Sequence, residues 1–280
     1  MSREAGLPLG AGGRPASGAQ AGGLRGLARW WRDSIAEPVI SVLFPPRCVG
    51  CGDFESHLCA RCEASLVPIG RDCCPRCGEP GPRPLVGHRC SHCMGVELAY
   101  AGARSAFLHA GAAKRMVVEF KAGGQPVLAP LMARLATPAF RELVSAAGGN
   151  GPVVVTWVPS HPAAQRERGY NQAELLARAL AGGQPPLPVA GLTRKPVRTK
   201  HQKALGRAGR QSNLRGAFVL DEKALRALPF RPAALVLVDD VYTTGATAQE
   251  VSSVLEAGTG SPVYGFTFSR AVSGRSEGHD

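Results

Sequence analysis

Residues 239–247 read Asp-Asp-Val-Tyr-Thr-Thr-Gly-Ala-Thr and follow the apolar run 235–238. Carboxylates only accept hydrogen bonds, so Asp239 and Asp240 suit two neighbouring ribose hydroxyls. Thr243, Thr244 and Thr247 supply hydroxyl donors, and Gly245 lets the backbone approach an anion closely. A helix is expected over 246–257, ended by Gly258, with Thr247 and Glu250 at capping-box spacing. Its free N–H groups and positive dipole end would favour a phosphate at the same place. The ligand that fits this combination is a ribose carrying a 5-phosphate. An ordinary helix start accounts for neither the Asp pair nor the Thr-Thr-Gly turn.

A second chemistry lies upstream. Eight of the nine cysteines form four Cys-x-x-Cys pairs: Cys48/Cys51, Cys59/Cys62, Cys74/Cys77 and Cys90/Cys93. One such pair presents two thiolates to a tetrahedral zinc, and two pairs close a site. The simplest arrangement is two zinc ions, one on each consecutive set of four, although crossed pairings satisfy the same count. Disulfides are the rival. The first residues lack the apolar core of an export signal, so a reducing cytoplasm is expected and zinc is favoured. A redox role for a single Cys-x-x-Cys does not explain four of them. Cys73 is left over as a spare thiol or an alternative ligand, and His57, His88 and His92 read as neighbours rather than ligands. Closed sites of four thiolates have no open position, so this zinc is structural. In so small a segment it would supply much of the folding energy.

The elements around these residues follow from pattern. Two short apolar runs, 103–108 and 153–158, read with 235–238 as strands, the last buried on both faces. Helices are expected over 112–121 and from 127 towards 144, and Asn171 caps another that runs to Leu180. Strand, ligand loop and helix thus occur twice, at 153–180 and 235–257. In parallel sheets ligands sit at the carboxyl ends of strands, so the two loops can converge. The first contains Ser160, His161, Arg166 and Arg168, and its guanidinium forks suit phosphate oxygens.

Net charge is +12 over 280 residues. It concentrates between 161 and 216, where eleven Lys or Arg face two Glu. Such a stretch implies a polyanionic ligand: pyrophosphate, nucleotide or nucleic acid. The insert 194–215 has too few apolar residues for a core element and reads as a mobile, anion-seeking loop. Residues 1–23 and 273–280 read as disordered tails, and 24–44 as a helix packed on its own protein. No apolar run approaches the ~18 residues of a membrane span.

The 235–247 segment resembles the 5-phosphoribosyl-1-pyrophosphate (PRPP) signature of type I phosphoribosyltransferases. Thr243 stands where purine-salvage members often carry a carboxylate, which weakens that substrate class. The whole ordered set resembles the ComF family, linked to DNA uptake in competent bacteria. That set comprises Phe44-Pro45-Pro46-Arg47-Cys48, the cysteine pairs, Phe120-Lys121, 159–172, Thr199-x-x-Gln202, Arg210-x-x-Asn213 and the 239–247 loop. The resemblance implies a double zinc-ribbon domain over 45–98. An α/β type I phosphoribosyltransferase fold follows over 99–272, a parallel sheet flanked by helices with a flexible hood loop. By that resemblance Asp239 and Asp240 hold the ribose, and Val241, Tyr242, Thr243, Thr244, Gly245, Ala246 and Thr247 wrap the 5-phosphate. Ser160, His161, Arg166 and Arg168 then lie near the pyrophosphate, Arg198, Thr199, Gln202, Arg210 and Asn213 belong to the hood, and Mg²⁺ accompanies PRPP. Two functions stay open: phosphoribosyl transfer to an acceptor, and non-catalytic binding of single-stranded DNA within a DNA-import machinery.

Overall fold

The computed structural model describes residues 45–54, 56–81, 90–149, 151–196 and 216–272. The tails, the 24–44 helix, His88 and the hood residues Arg198, Thr199, Gln202, Arg210 and Asn213 lie outside the described residues. In chain order the elements are α1 (Ala60–Ala64), β1 (Gly102–Leu108), α2 (Gly111–Lys121), α3 (Leu128–Gly148), β2 (Val153–Trp157), α4 (Pro162–Arg168), α5 (Gln172–Ala181), β3 (Thr193–Arg194), β4 (Val219–Leu220), α6 (Glu222–Arg226), β5 (Ala234–Tyr242), α7 (Ala246–Thr259) and β6 (Val263–Arg270).

Four strands form one parallel sheet in the order β1-β6-β5-β2. Residues 235–238 are at most 2% exposed, as a central strand covered on both faces requires. Helices α3 and α5 pack on each other and on the sheet, and α7 packs on β6.

The register decides where the carboxylates stand. On one side β5 pairs with β2 only as far as Trp157 opposite Val238. On the other it pairs with β6 through Tyr242 opposite Arg270. Asp239 and Asp240 are therefore strand residues in an overhang with a partner on one side, rather than residues beyond the strand end.

Three expectations need correction. The helix after the turn runs past Gly258 to Thr259 and ends at Gly260, whose φ is +66°. Gly258 is required instead for close packing, because a Cβ there would meet the Leu220 side chain at 2.6 Å. The capping box is not formed: Gly245, at φ +76°, occupies the cap position without a side-chain bond. Glu250 Oε1 accepts from the Gly216 amide at 2.7 Å instead. Finally, 162–168 is a short helix inside what reads as a loop. Pro162 fits its first turn, His161 Nδ1 accepts from the Ala163 amide at 3.2 Å, and Gly169 ends it at φ +81°. Val219–Leu220 form a short strand antiparallel to β3.

The first ribbon does not rely on metal alone. Cys48, Leu58, Cys62 and Leu66 belong to the same contiguous core as Phe107 of β1. Glu63 of α1 pairs with Arg134 of α3 at 2.8 Å. In the second ribbon Cys74, Cys77 and Cys93 form a separate small cluster.

Candidate functional site

Each consecutive set of four cysteines gathers its sulfurs within 4.8 Å of one another: Cys48, Cys51, Cys59 and Cys62 in one, Cys74, Cys77, Cys90 and Cys93 in the other. A tetrahedral zinc with Zn–S of about 2.3 Å sets S···S edges of about 3.8 Å. The observed separations are 3.7 Å for Cys51–Cys59 and Cys74–Cys93, 3.5 Å for Cys77–Cys90 and 3.9 Å for Cys90–Cys93. All nine cysteines are free, so disulfides are not the arrangement and the simplest pairing holds.

The thiols differ in how readily they ionise. Burial opposes charge at Cys48, but the amides of Cys59, Cys51 and Gly50 outweigh it and bring the thiol down to about 6. At Cys74 burial is likewise outweighed by the amides of Cys77, Cys90 and Arg76, giving about 7. Burial, with neighbouring thiols, pushes Cys62 up to about 12 and raises Cys77 as well. A cation is what would let all four thiols of a set stay ionised together. Cys73 stands apart from both sets, and its Sγ accepts from Arg104 Nη1 at 2.8 Å. His57 and His92 belong to neither set.

The second site lies at the carboxyl ends of β5 and β2. A cavity of about 230 Å³ is lined by Asp239, Asp240 and Thr247 from one loop and Ser160, His161 and Arg168 from the other. The two loops read from sequence do meet there. Asp240 is 2% exposed, and its Oδ1 lies 2.7 Å from Lys121 Nζ. Asp239 is half-buried, and its Oδ1 accepts from the Asp240 amide at 2.9 Å. Burial, reinforced by the like charge of Asp240, raises the Asp239 carboxyl to about 7, against the pull of Lys121. Arg166 sits exposed on α4 and does not line this cavity.

The turn wraps an adjoining cavity of about 40 Å³, lined by Val241, Tyr242, Thr243, Gly245, Ala246 and Thr247 with Thr267 of β6, and sharing Asp239 and Thr247 with the first. Thr244 is exposed, and its Oγ1 accepts from the Ala246 amide at 3.4 Å. Gly245 itself offers no side-chain cap to α7, and a helix N-terminus is a common setting for an anion.

Lys121, Lys195 and Phe218 had no role assigned from sequence, whereas the helix cap expected at Asn171 is formed. Lys121, at the end of α2, supplies the counter-charge to Asp240; its Phe120-Lys121 motif was noted without a role. Asn171 caps α5 through its carbonyl oxygen while its amide donates to Val158 O at 3.3 Å, so one side chain fixes both the helix start and the end of β2. Lys195 and Phe218 reach the cavity from either side of the stretch outside the described residues, and the ammonium lies 5.1 Å from the ring centroid. Nothing local marks Lys121 or the Lys195–Phe218 pair, because their partners are distant in sequence.

A family model described as Double zinc ribbon domain matches residues 39–94. Competence protein F of Haemophilus influenzae is 29% identical over 217 residues, covering 75% of this chain and 90% of that protein. DNA utilization protein YhgH of Salmonella typhimurium is 28% identical over 204 residues, covering 71% and 82%. Competence protein ComFC of Streptococcus pneumoniae is 25% identical over 228 residues, covering 77% and 89%. The chain, a parallel α/β sheet behind two four-cysteine sites, is thus a homologue of the Competence protein F, ComFC and YhgH proteins that carries a double zinc ribbon at its N-terminal side.

Proposed function

We propose that this protein holds the 5-phosphoribosyl group of PRPP and serves the handling of DNA as a phosphoribosyltransferase-like enzyme. The observation that carries the reading is the convergence of two strand-end loops on one 230 Å³ cavity, one bringing adjacent carboxylates and the other a guanidinium. In this reading Asp239 and Asp240 accept from the ribose hydroxyls and the Thr243–Thr247 turn donates to the 5-phosphate. Ser160, His161 and Arg168 face the pyrophosphate, whose departure leaves a positive centre at the sugar. The protein's share is then positioning and charge stabilisation. Outside the cysteine sets, no cluster of metal-ligating side chains gathers among the described residues. Magnesium would therefore be carried chiefly by the ligand's own phosphate and ribose oxygens, and it would neutralise the leaving group's charge.

The test is calorimetric titration with PRPP and Mg²⁺. Wild type binds, and Asp240→Asn loses the binding; equal binding by both would remove the assignment. Pyrophosphate release in the presence of bases, amines and oligonucleotides then identifies an acceptor. The names of the relatives favour a second reading, backbone binding of single-stranded DNA by the basic stretch. That binding should weaken steeply as salt rises.

A further inference from the structure

A continuous buried chain of contacts joins the second ribbon to the phosphate turn. It begins at Arg270, the last residue of β6, which is 1% exposed. A guanidinium removed from water must have its charge and N–H groups satisfied. Here the second ribbon does so. Nε and Nη2 donate to Glu79 Oε2 at 2.9 and 2.6 Å, and Nη1 donates to the carbonyl of Cys77, a metal-site cysteine, at 2.6 Å.

The same guanidinium lies 4.0 Å from the ring centroid of Tyr242, close enough for a cation–π contact. Tyr242 is in turn fixed by Tyr100, whose hydroxyl is 2.8 Å from its own and which is 1% exposed. The Tyr242 hydroxyl then sits directly under Gly245, where any Cβ would overlap it. Both Tyr242 and Gly245 line the cavity of the turn. A parallel tie runs to the helix: Gln249 of α7 accepts from the Ala99 amide at 2.9 Å and donates to Glu97 O at 3.0 Å. Residues 97–99 are the chain leaving the last zinc-site cysteine. The first ribbon contacts α3 and β1 instead, and among the described residues it has no such path.

We infer that Arg270 is a positioning residue that transmits the folded state of the second ribbon, through Tyr242, to the Thr243–Thr247 turn. The second ribbon thus braces the phosphate site from behind, through Arg270 and Tyr242, whereas the first is an anchor for the sheet. This rests on the reading of the turn as the holder of the 5-phosphate.

The test titrates the full, zinc-loaded chain separately with ribose 5-phosphate and with pyrophosphate, at equal zinc content throughout. Glu79→Gln removes the charge that holds Arg270 without touching a thiol. It should weaken ribose 5-phosphate about tenfold and leave pyrophosphate unchanged. Tyr242→Phe breaks the chain at its other end, with both ribbons and Arg270 intact, and should weaken ribose 5-phosphate in the same selective way. Glu63→Gln, the matching change in the first ribbon, should alter neither. Unchanged ribose 5-phosphate binding in Glu79→Gln and Tyr242→Phe, or equal loss of both ligands, would overturn the inference. Failure of the wild type to bind ribose 5-phosphate would instead overturn the functional reading beneath it.

Discussion

Asp239→Asn should make the ligand-free protein more stable, and by an amount that depends on pH. The ordinary carboxyl value of 3.8 is raised to about 7 in the fold, chiefly by burial and then by the Asp240 charge. At about 1.36 kcal/mol per pH unit, ionising this group costs the folded state up to about 4 kcal/mol. Asparagine keeps the hydrogen bond from the Asp240 amide but stays polar and half-buried, so about half of that, near 2 kcal/mol, is the expected gain. For a domain of this size that is a rise of about 4–8 °C in Tm. The sign follows from linkage. A carboxyl whose folded value is raised binds more protons in the native state, so its penalty is absent below the unfolded value, grows through the interval from 3.8 to about 7, and is constant above it. The asparagine's own cost does not change with pH, so the wild-type-to-mutant difference should shrink from about 2 kcal/mol at pH 8 to near zero at pH 5.5. Both proteins share the zinc sites, so metal loss cancels in the difference. Thermal unfolding at the two pH values measures it. A destabilised mutant at pH 8, or a gain independent of pH, would refute the reasoning.

Lys121→Met leaves the Asp240 carboxylate buried without its ammonium. Lys121 is itself 38% exposed, so the loss should be at the lower end for a broken pair, about 1–3 kcal/mol by urea unfolding. The same substitution in an Asp240→Asn background should cost markedly less, and an equal cost in both backgrounds would deny the pairing. Metal analysis should find two zinc ions per chain, and Cys62→Ser and Cys77→Ser should each remove one. A wild-type content of one would break the assignment of two closed sets.

What could be read from sequence was whatever is local. The Cys-x-x-Cys spacing was enough to count two sets of four thiols, but it left crossed pairings open, and the folded chain closes each set from consecutive pairs. The run 235–238 announced a buried strand because four successive apolar residues have no polar face to expose. The misjudged boundaries had tertiary causes. Gly258 reads as a helix stop, yet it is needed for contact with Leu220. Glu250 reads as a capping partner, yet it bonds Gly216, 34 residues away. The 159–172 segment reads as a loop because its proline and histidine resemble turn residues, although Pro162 and His161 serve equally well as a helix start. Lys121, Tyr100 and Arg270 were invisible as site residues, because each acts through a partner more than 100 positions distant.

Those long-range partners explain how the site tolerates its own chemistry. Adjacent carboxylates in a strand overhang repel, one of them held near neutrality by burial, and the turn that follows depends on a glycine at φ +76°. Within residues 239–247 the repulsion is eased only in part, by the Asp240 amide donating to Asp239. The compensation arrives from outside: Lys121 from α2 against Asp240, and Arg270 and Gln249 tying the turn and its helix to the second ribbon. A ribbon with so small a core of its own could not hold a buried arginine unless its backbone were fixed. Metal-closed cysteines fix it, and Cys77 offers its carbonyl to Arg270 from within the metal-binding knuckle. The pairing of a zinc ribbon with this sheet therefore has a physical rationale independent of any contact with nucleic acid: it supplies rigidity where the 243–247 turn cannot supply its own.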